Sequence, residues 1–166
     1  LESASELIGG GARALLQHGF ERAGASWDEA HAPALFEAFL ADYVEHIADH
    51  SKPFPGVAET LERLAARGAI LCVATNKRTD LSEILLEKLN LTRHFAAIAG
   101  PDKVSARKPS GAHLTEAVRM AGGDPARAIM VGDASPDTGA ARDAGLPCIV
   151  CTFGYSRSEE HTSELQ

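Results

Sequence analysis

From residue 57 onward, helical patterns alternate with short apolar runs, and this alternation constrains the fold more than any other feature of the sequence. The apolar runs have the length and composition of buried strands: residues 69–74, 96–99, 128–131 and the segment around Ile149. Helical patterns occupy the intervals before and between them: residues 57–67, 81–89, 112–121 and 135–144. Strands that alternate with helices pair in parallel through right-handed crossovers. The sequence therefore predicts an α/β fold with a parallel sheet.

The N-terminal part of the chain has a different character, because it contains helical patterns and no convincing buried strand. Apolar residues recur at helical spacing over residues 12–20 and again over residues 35–47. Ser26 precedes Glu29 by three residues, so we expect a helix start there with Ser26 as its cap. Two prolines and a glycine in the segment 51–56 end the helical pattern. We expect two antiparallel helices whose shared apolar face needs a cover.

The most informative of the predicted strand ends carries two carboxylates. Residues 128–131 lead directly into Gly132 and Asp133, and Asp137 follows in the first turn of the next predicted helix. Open parallel sheets bind ligands at the carboxyl edge of their strands, which is where Asp133 would lie. Asp137 would then be close enough to share a cation or a lysine. The alternative is structural, because aspartate is a common helix cap.

Two further segments carry polar groups that could meet these carboxylates. Thr75 and Asn76 follow the predicted strand 69–74 and supply a hydroxyl and an amide. Lys108 stands just before Pro109, a proline that fits the first turn of a helix. Taken singly, Thr75 can be a helix cap and Lys108 a surface lysine.

In this order, a hydroxyl at a strand end, Lys-Pro, and Gly-Asp followed by a second Asp resemble the second, third and fourth motifs of the haloacid dehalogenase (HAD) superfamily. The segments 8–16, 53–57 and 153–155 look like those of its phosphoglycolate phosphatase branch. The resemblance implies a Rossmann-like three-layer parallel sheet, here an incomplete HAD-like core, with a helical cap.

The resemblance assigns residues 1–52 to a partial helical cap and residues 53–156 to a core that lacks its first strand and last elements. Residues 157–166 resemble a translated sequencing adapter and are expected to be a non-native tail. The family's nucleophile is an aspartate of D-x-D-G-T, a motif that this sequence does not contain. We therefore expect the 166-residue chain to be inactive. We also expect it to fold poorly alone, because the missing strand would lie between those ending at Thr75 and Gly132.

The activity that the resemblance implies is Mg²⁺-dependent hydrolysis of a small phosphate monoester, 2-phosphoglycolate to glycolate, through an aspartyl-phosphate. Thr75, Asn76 and Lys108 would bind the phosphoryl group, whose charge the protein must stabilise during transfer. Arg13 would pair with the carboxylate of the substrate. The alternative is that the Arg13 side chain lies along a helix face with its charged end in solvent. The alternatives are another HAD phosphatase, a phosphomutase, or a non-catalytic relative that binds phosphorylated ligands or a protein partner.

The resemblance also gives roles to the two carboxylates. Asp133 would be a ligand of Mg²⁺, a cation that prefers hard oxygen donors. Asp137 would hold either Lys108 or a metal-bound water in place. The sequence departs from the family at Gly111, which stands where the family has the second proline of K-P-x-P. We expect the helix after Lys108 to start more loosely for that reason.

Composition limits the other classes of function. A formal net charge of -7 argues against nucleic-acid binding, and no apolar run approaches the length of a membrane span. We expect a small phosphorylated metabolite as the partner, a monomer or homodimer, and a cytoplasmic location.

Cys148 and Cys151 read as C-x-x-C, but they lie in a predicted strand, which favours a structural role over a redox or metal site. His46 and His50 stand one helical turn apart without an obvious third metal ligand.

Overall fold

The computed structural model describes residues 11–153 of the 166-residue chain, with side chains from residue 16 onward. The predicted non-native tail, residues 157–166, lies outside the described residues. Contacts divide the chain into two compact units, Leu1–Asp49 and His50–Gln166. Among the described residues, no helix combines the length and the apolar character that crossing a bilayer would require.

The described part of the first unit, residues 11–49, contains two helices, α1 (Gly11–Arg22) and α2 (Ala32–Glu45), as the helical spacing predicts. The expected helix start at Ser26 is wrong, because α2 begins six residues later at Ala32. Asp28 explains the delay: its carboxylate accepts the backbone N–H of Ala30 at 2.9 Å and contacts His31 Nδ1 at 2.6 Å. These local bonds stabilise a turn over the residues that would otherwise form the first helical turn.

The second unit alternates helices and strands in the predicted order. Its helices are α3 (Val57–Ala66), α4 (Thr79–Lys88), α5 (Gly111–Met120) and α6 (Ser135–Ala144). Its strands are β1 (Cys72–Ala74), β2 (Ala97–Ala99), β3 (Met130–Gly132) and β4 (Cys148–Val150). Within the described residues, β1 pairs with β2 and β3 pairs with β4, in two separate two-stranded sheets. Both pairs are parallel, as predicted.

The core of the second unit lies between α5, α6 and the strands. Leu114, Ala140 and Ala141 are buried at its centre. The partly buried apolar residues packed against them come from three strands and a loop: Ala74, Met130, Leu146 and Cys148. Alanine at two of the three central positions lets the helix backbones approach closely, and this small buried cluster is the second unit's main apolar contact.

Gly111 shows how closely α5 and α6 approach. A Cβ at this position would collide with the backbone of Ala144 in α6. In addition, the Gly111 N–H is donated to Asp143 Oδ2 at 2.6 Å. The expectation of a loose helix start is therefore wrong, because α6 anchors the first residue of α5.

The strands are shorter and more exposed than their composition predicts. Ile129, Val131 and Ile149 are 60%, 57% and 56% exposed. Val131 and Ile149 are register partners on one face of the β3–β4 sheet, whereas their neighbours Met130 and Cys148 pack against the core. The prediction of a fully buried strand at residues 128–131 is therefore wrong, because the described helices cover only one face of this sheet.

Candidate active site

The end of β1 places a hydroxyl and an amide at the edge of its sheet. The Thr75 N–H is donated to the Ala99 carbonyl at 3.0 Å, which continues the pairing with β2. Thr75 Oγ1 accepts the backbone N–H of Lys77 at 3.1 Å and so turns the chain away from the strand. Asn76, between them, is exposed. Thr75 therefore closes a local turn and does not cap a helix, because α4 begins at Thr79 with Arg78 before it, and its hydroxyl hydrogen remains a donor for a ligand.

Lys108 is bound through its backbone to the end of β1. Asn76 Oδ1 accepts the Lys108 N–H at 2.9 Å, and Asn76 Nδ2 donates to the Lys108 carbonyl at 3.0 Å. Pro109 does not lie in the first helical turn, contrary to expectation, because α5 begins at Gly111 with Ser110 as the preceding cap residue. Lys108 is therefore on an irregular segment, and Asn76 binds both of its backbone polar groups.

The side chain of Lys108 forms a buried ion pair. Lys108 Nζ donates to Asp137 Oδ1 at 2.6 Å, and the two side chains are only 11% and 9% exposed. From the sequence, Asp137 was expected to contact either Lys108 or a metal-bound water, and the structure shows the contact with Lys108. Charge-assisted bonds of this length are among the stronger polar contacts in proteins.

Asp137 also shapes the turn that presents Asp133. It is the third residue of α6, and its Oδ2 accepts the N–H groups of Asp133 at 3.1 Å and Ala134 at 3.2 Å. A Cβ on Gly132 would lie 2.5 Å from Asp137 Cγ and Oδ2, so the strand must end in glycine for this carboxylate to fold back. Asp133 itself is half-buried at the end of β3.

Sequence reasoning missed His113, a buried residue of α5 that contacts the end of β2. Its imidazole is fully buried in α5, and Nε2 lies 3.0 Å from the carbonyl oxygen of Ala99 at the end of β2. Burial lowers the pKa of His113 below its usual value, so the neutral form is favoured. Its helical spacing from Ala117, which is also buried, is the signal that would have placed it on the inner face.

Three other expectations concern residues away from this network. Arg13 belongs to α1, and its side chain lies outside the described residues. Among the residues described, no three His, Cys, Asp or Glu side chains form a potential metal site. His46 instead contacts Asp49, with Nδ1 and Oδ2 2.7 Å apart. The thiols of Cys148 and Cys151 are free, and burial raises the pKa of Cys148.

The geometry thus brings together four of the predicted site residues in one connected network. Asn76 binds Lys108, Lys108 binds Asp137, and Asp137 binds the backbone of Asp133. Thr75 adjoins this network through its chain neighbour Asn76. The network joins the ends of β1 and β3, which belong to different sheets.

Known proteins are similar to this chain in sequence and in fold. The model of the haloacid dehalogenase-like hydrolase family matches residues 2–151. A curated phosphoglycolate phosphatase of Caulobacter vibrioides is 47% identical over 156 residues, covering 94% of this chain and 66% of that relative. Another, of Mesorhizobium japonicum, is 42% identical over 159 residues, covering 96% of this chain and 69% of that relative. The crystal structure of a predicted phosphoglycolate phosphatase from Haemophilus somnus has a TM-score of 0.82 at 30% identity, covering 91% of this chain and 69% of that one.

The chain spans just under two thirds of the length of the Caulobacter relative. Over that span, the family match, the sequence identities and the structural similarity agree with each other and with the motif order read from the sequence. The chain belongs to the haloacid dehalogenase-like hydrolase family and has its Rossmann-type α/β fold.

Proposed function

We propose that the complete gene product containing this chain is a Mg²⁺-dependent phosphatase that converts 2-phosphoglycolate to glycolate through an aspartyl-phosphate. The observation that carries the proposal is the hydrogen-bonded network from Asn76 through Lys108 and Asp137 to Asp133. It concentrates one ammonium and two carboxylates near the ends of β1 and β3, an arrangement that suits phosphoryl transfer. The substrate is chosen from the activity named for the relatives from Caulobacter and Mesorhizobium.

Thr75 and Lys108 would bind the phosphoryl oxygens. The Thr75 hydroxyl accepts from Lys77, so its own hydrogen can be donated to a phosphate oxygen. The backbone N–H of Asn76 would add a second donor at the same strand end. Lys108 gives one N–H to Asp137, and an ammonium has two more for the phosphoryl group. These groups stabilise the charge on the non-bridging oxygens and orient the phosphorus for attack.

Asp133 would hold the magnesium ion. Its position at the end of β3 suits a cation that binds through one or two carboxylates and retains several waters. Asp137 would have a different role, because its two oxygens accept from Lys108 and from two backbone N–H groups. When bound, Mg²⁺ supplies positive charge to the phosphoryl oxygens. Asp137 would act by fixing both Lys108 and the turn that carries Asp133.

The attacking carboxylate would come from the D-x-D-G-T motif of the family, which this sequence does not contain. The carboxylate would form a bond to phosphorus as the bond to the glycolate oxygen breaks, and water would then hydrolyse the aspartyl-phosphate. The 166-residue chain alone would accordingly be inactive. Arg13 would pair with the substrate carboxylate, as the family resemblance implies. We place the enzyme in the cytoplasm, as a monomer or homodimer.

A panel of phosphate esters tests this function on the complete gene product, with Mg²⁺ and with a chelator. We expect 2-phosphoglycolate to have the highest kcat/KM and the chelator to abolish turnover. Asp133→Asn should lower kcat by about a hundredfold or more, because it removes a carboxylate that would hold Mg²⁺, the cation whose positive charge stabilises the transferring phosphoryl group. Asp124→Asn is the matched control, since Asp124 is exposed and caps a short 3-10 turn.

Four results would contradict parts of the proposal. A different preferred ester would remove 2-phosphoglycolate as the substrate, and transfer of phosphate between positions of one sugar would indicate a phosphomutase. Unchanged turnover in Asp133→Asn would exclude Asp133 as the metal ligand. Binding of phosphate esters without any hydrolysis would favour a non-catalytic relative.

A further inference from the structure

Asn76 makes contacts that its place in the sequence does not predict. Its Oδ1 accepts the Lys108 N–H at 2.9 Å, and its Nδ2 donates to the Lys108 carbonyl at 3.0 Å. The orientation of the side-chain amide follows from chemistry, because a backbone N–H only donates and a carbonyl only accepts. A single side chain therefore binds both backbone polar groups of a residue 32 positions away.

Lys108 depends on such contacts because residues 100–110 contain no helix or strand. Besides the ion pair of Lys108, the hydrogen bonds that tie the segment to its surroundings include those of Asp102 to Thr79, of Ser105 to Glu116, and of Lys108 to Asn76. The third of these ties is the one that acts on the backbone of Lys108. The other two lie three and six residues earlier, so they limit the path of the segment without fixing the lysine.

Lys108 is thus bound at its backbone and at its ammonium group by two residues, and each of these residues follows a strand of a different sheet. Its backbone is bound to Asn76, which follows β1, and its ammonium is bound to Asp137, which follows β3. Because β1 and β3 are not in the same sheet of the described residues, no strand pairing joins their ends there, and the two contacts of Lys108 connect them. A shift of its backbone would move the ammonium relative to Thr75, or would strain the bond to Asp137.

We propose that the Asn76 side chain is a positioning residue: it fixes the backbone of Lys108 so that the ammonium lies between the ends of β1 and β3. Its side-chain amide would not contact the phosphate, and substrate binding at this position would use the backbone N–H. The positional part of the proposal stands on the hydrogen bonds alone. Its effect on turnover rests on the proposed function, in which Lys108 binds the phosphoryl group.

The first test measures the position of Lys108 without any reaction. In the complete gene product, amide hydrogen exchange at Lys108 is followed by NMR for the parent, Asn76→Ala and Asn76→Ser. Loss of the acceptor and donor should raise the exchange rate of the Lys108 N–H about tenfold or more. The Gly111 N–H, which is donated to Asp143, serves as the internal reference and should not change.

The second test measures kcat and KM for the preferred phosphate ester. We expect Asn76→Ala to lower kcat by about tenfold to a hundredfold with a smaller change in KM, because small displacements of a catalytic group have effects of that size. Glu116→Ala is the matched control: it also removes two hydrogen bonds from the same segment, both to Ser105, without contacting Lys108. Its kcat should stay within about twofold of the parent while its Tm falls by as much as that of Asn76→Ala.

Several outcomes would overturn the proposal. One is unchanged Lys108 exchange in both Asn76 variants. Another is a loss of kcat in Glu116→Ala as large as in Asn76→Ala, since the effect would then be general loosening of the segment. If the complete gene product hydrolyses no phosphate ester, the proposed function fails and the exchange rates alone decide whether Asn76 fixes Lys108.

Discussion

The ion pair between Lys108 and Asp137 allows a quantitative test of what stabilises the second unit. The side chains are 11% and 9% exposed, and the Nζ to Oδ1 distance is 2.6 Å. Removing one partner of a buried pair typically costs about 3–5 kcal/mol, because the other charge is left poorly solvated. Asp137→Asn should fall in this range, about 3–5 kcal/mol, since the ammonium loses its carboxylate. Lys108→Met should cost about 2–3 kcal/mol, because Asp137 keeps two backbone N–H donors.

The double variant Lys108→Met/Asp137→Asn separates the pair from its surroundings. With both charges removed, it should be no less stable than Asp137→Asn alone. The double-mutant cycle then gives a coupling free energy of at least about 2–3 kcal/mol, the cost of Lys108→Met alone, which is at the upper end of the range for side chains in contact. A pair on the surface would instead give about 0.2–1 kcal/mol and would weaken with salt.

Equilibrium unfolding in urea measures these free energies on the complete gene product. The assigned methyl signal of Met130 reports on the second unit, because Met130 packs against its buried cluster. The measurement is made at low and at high salt, and the coupling should change little between them. A coupling free energy below about 0.5 kcal/mol would refute the reasoning, since the two side chains would then stabilise the unit independently.

Two other consequences of the structure are directly measurable. Gly111→Ala should destabilise the second unit by about 1–3 kcal/mol, because its new Cβ collides with the backbone of Ala144, and unchanged urea unfolding would contradict the close approach of α5 and α6. The hydrogen bond to Asp49 raises the pKa of His46 above its ordinary 6.5. The stabilisation that this bond gives the folded first unit is therefore fully present below pH 6.5, and it is lost as the pH rises through the raised pKa. Unfolding of the first unit, followed by Trp27 fluorescence, should show this loss in the parent and not in His46→Gln.

Local patterns in the sequence determined the type and order of the elements. The helix predicted at residues 135–144 has those bounds in the structure, because its signals are local: an acidic first turn and a glycine, Gly145, in the left-handed conformation after its last turn. The predicted start of α2 was wrong, and the reason is again a local interaction. Asp28 offers its carboxylate to the backbone of Ala30, and this competing turn outweighs the capping pattern that begins at Ser26.

The degree of burial of the strands was not determined by their composition. Ile129, Val131 and Ile149 are residue types that favour burial, yet more than half of each is exposed. The residue type indicates how much free energy a side chain would gain if its apolar surface were buried, but not whether it is buried. Which faces are covered depends on where the helices pack, and α6 packs on the opposite side of β3 and β4.

The sequence by itself determined an α/β chain with polar groups at the ends of its strands, and its motif order indicated the family. The tertiary structure decided which of those groups meet. Asn76 and Lys108 are 32 residues apart, and Lys108 and Asp137 are 29 apart, so no local pattern links them. The physical reason is range: helical and strand periodicity act between near neighbours in the chain, whereas a hydrogen bond between distant residues exists only once packing has fixed both.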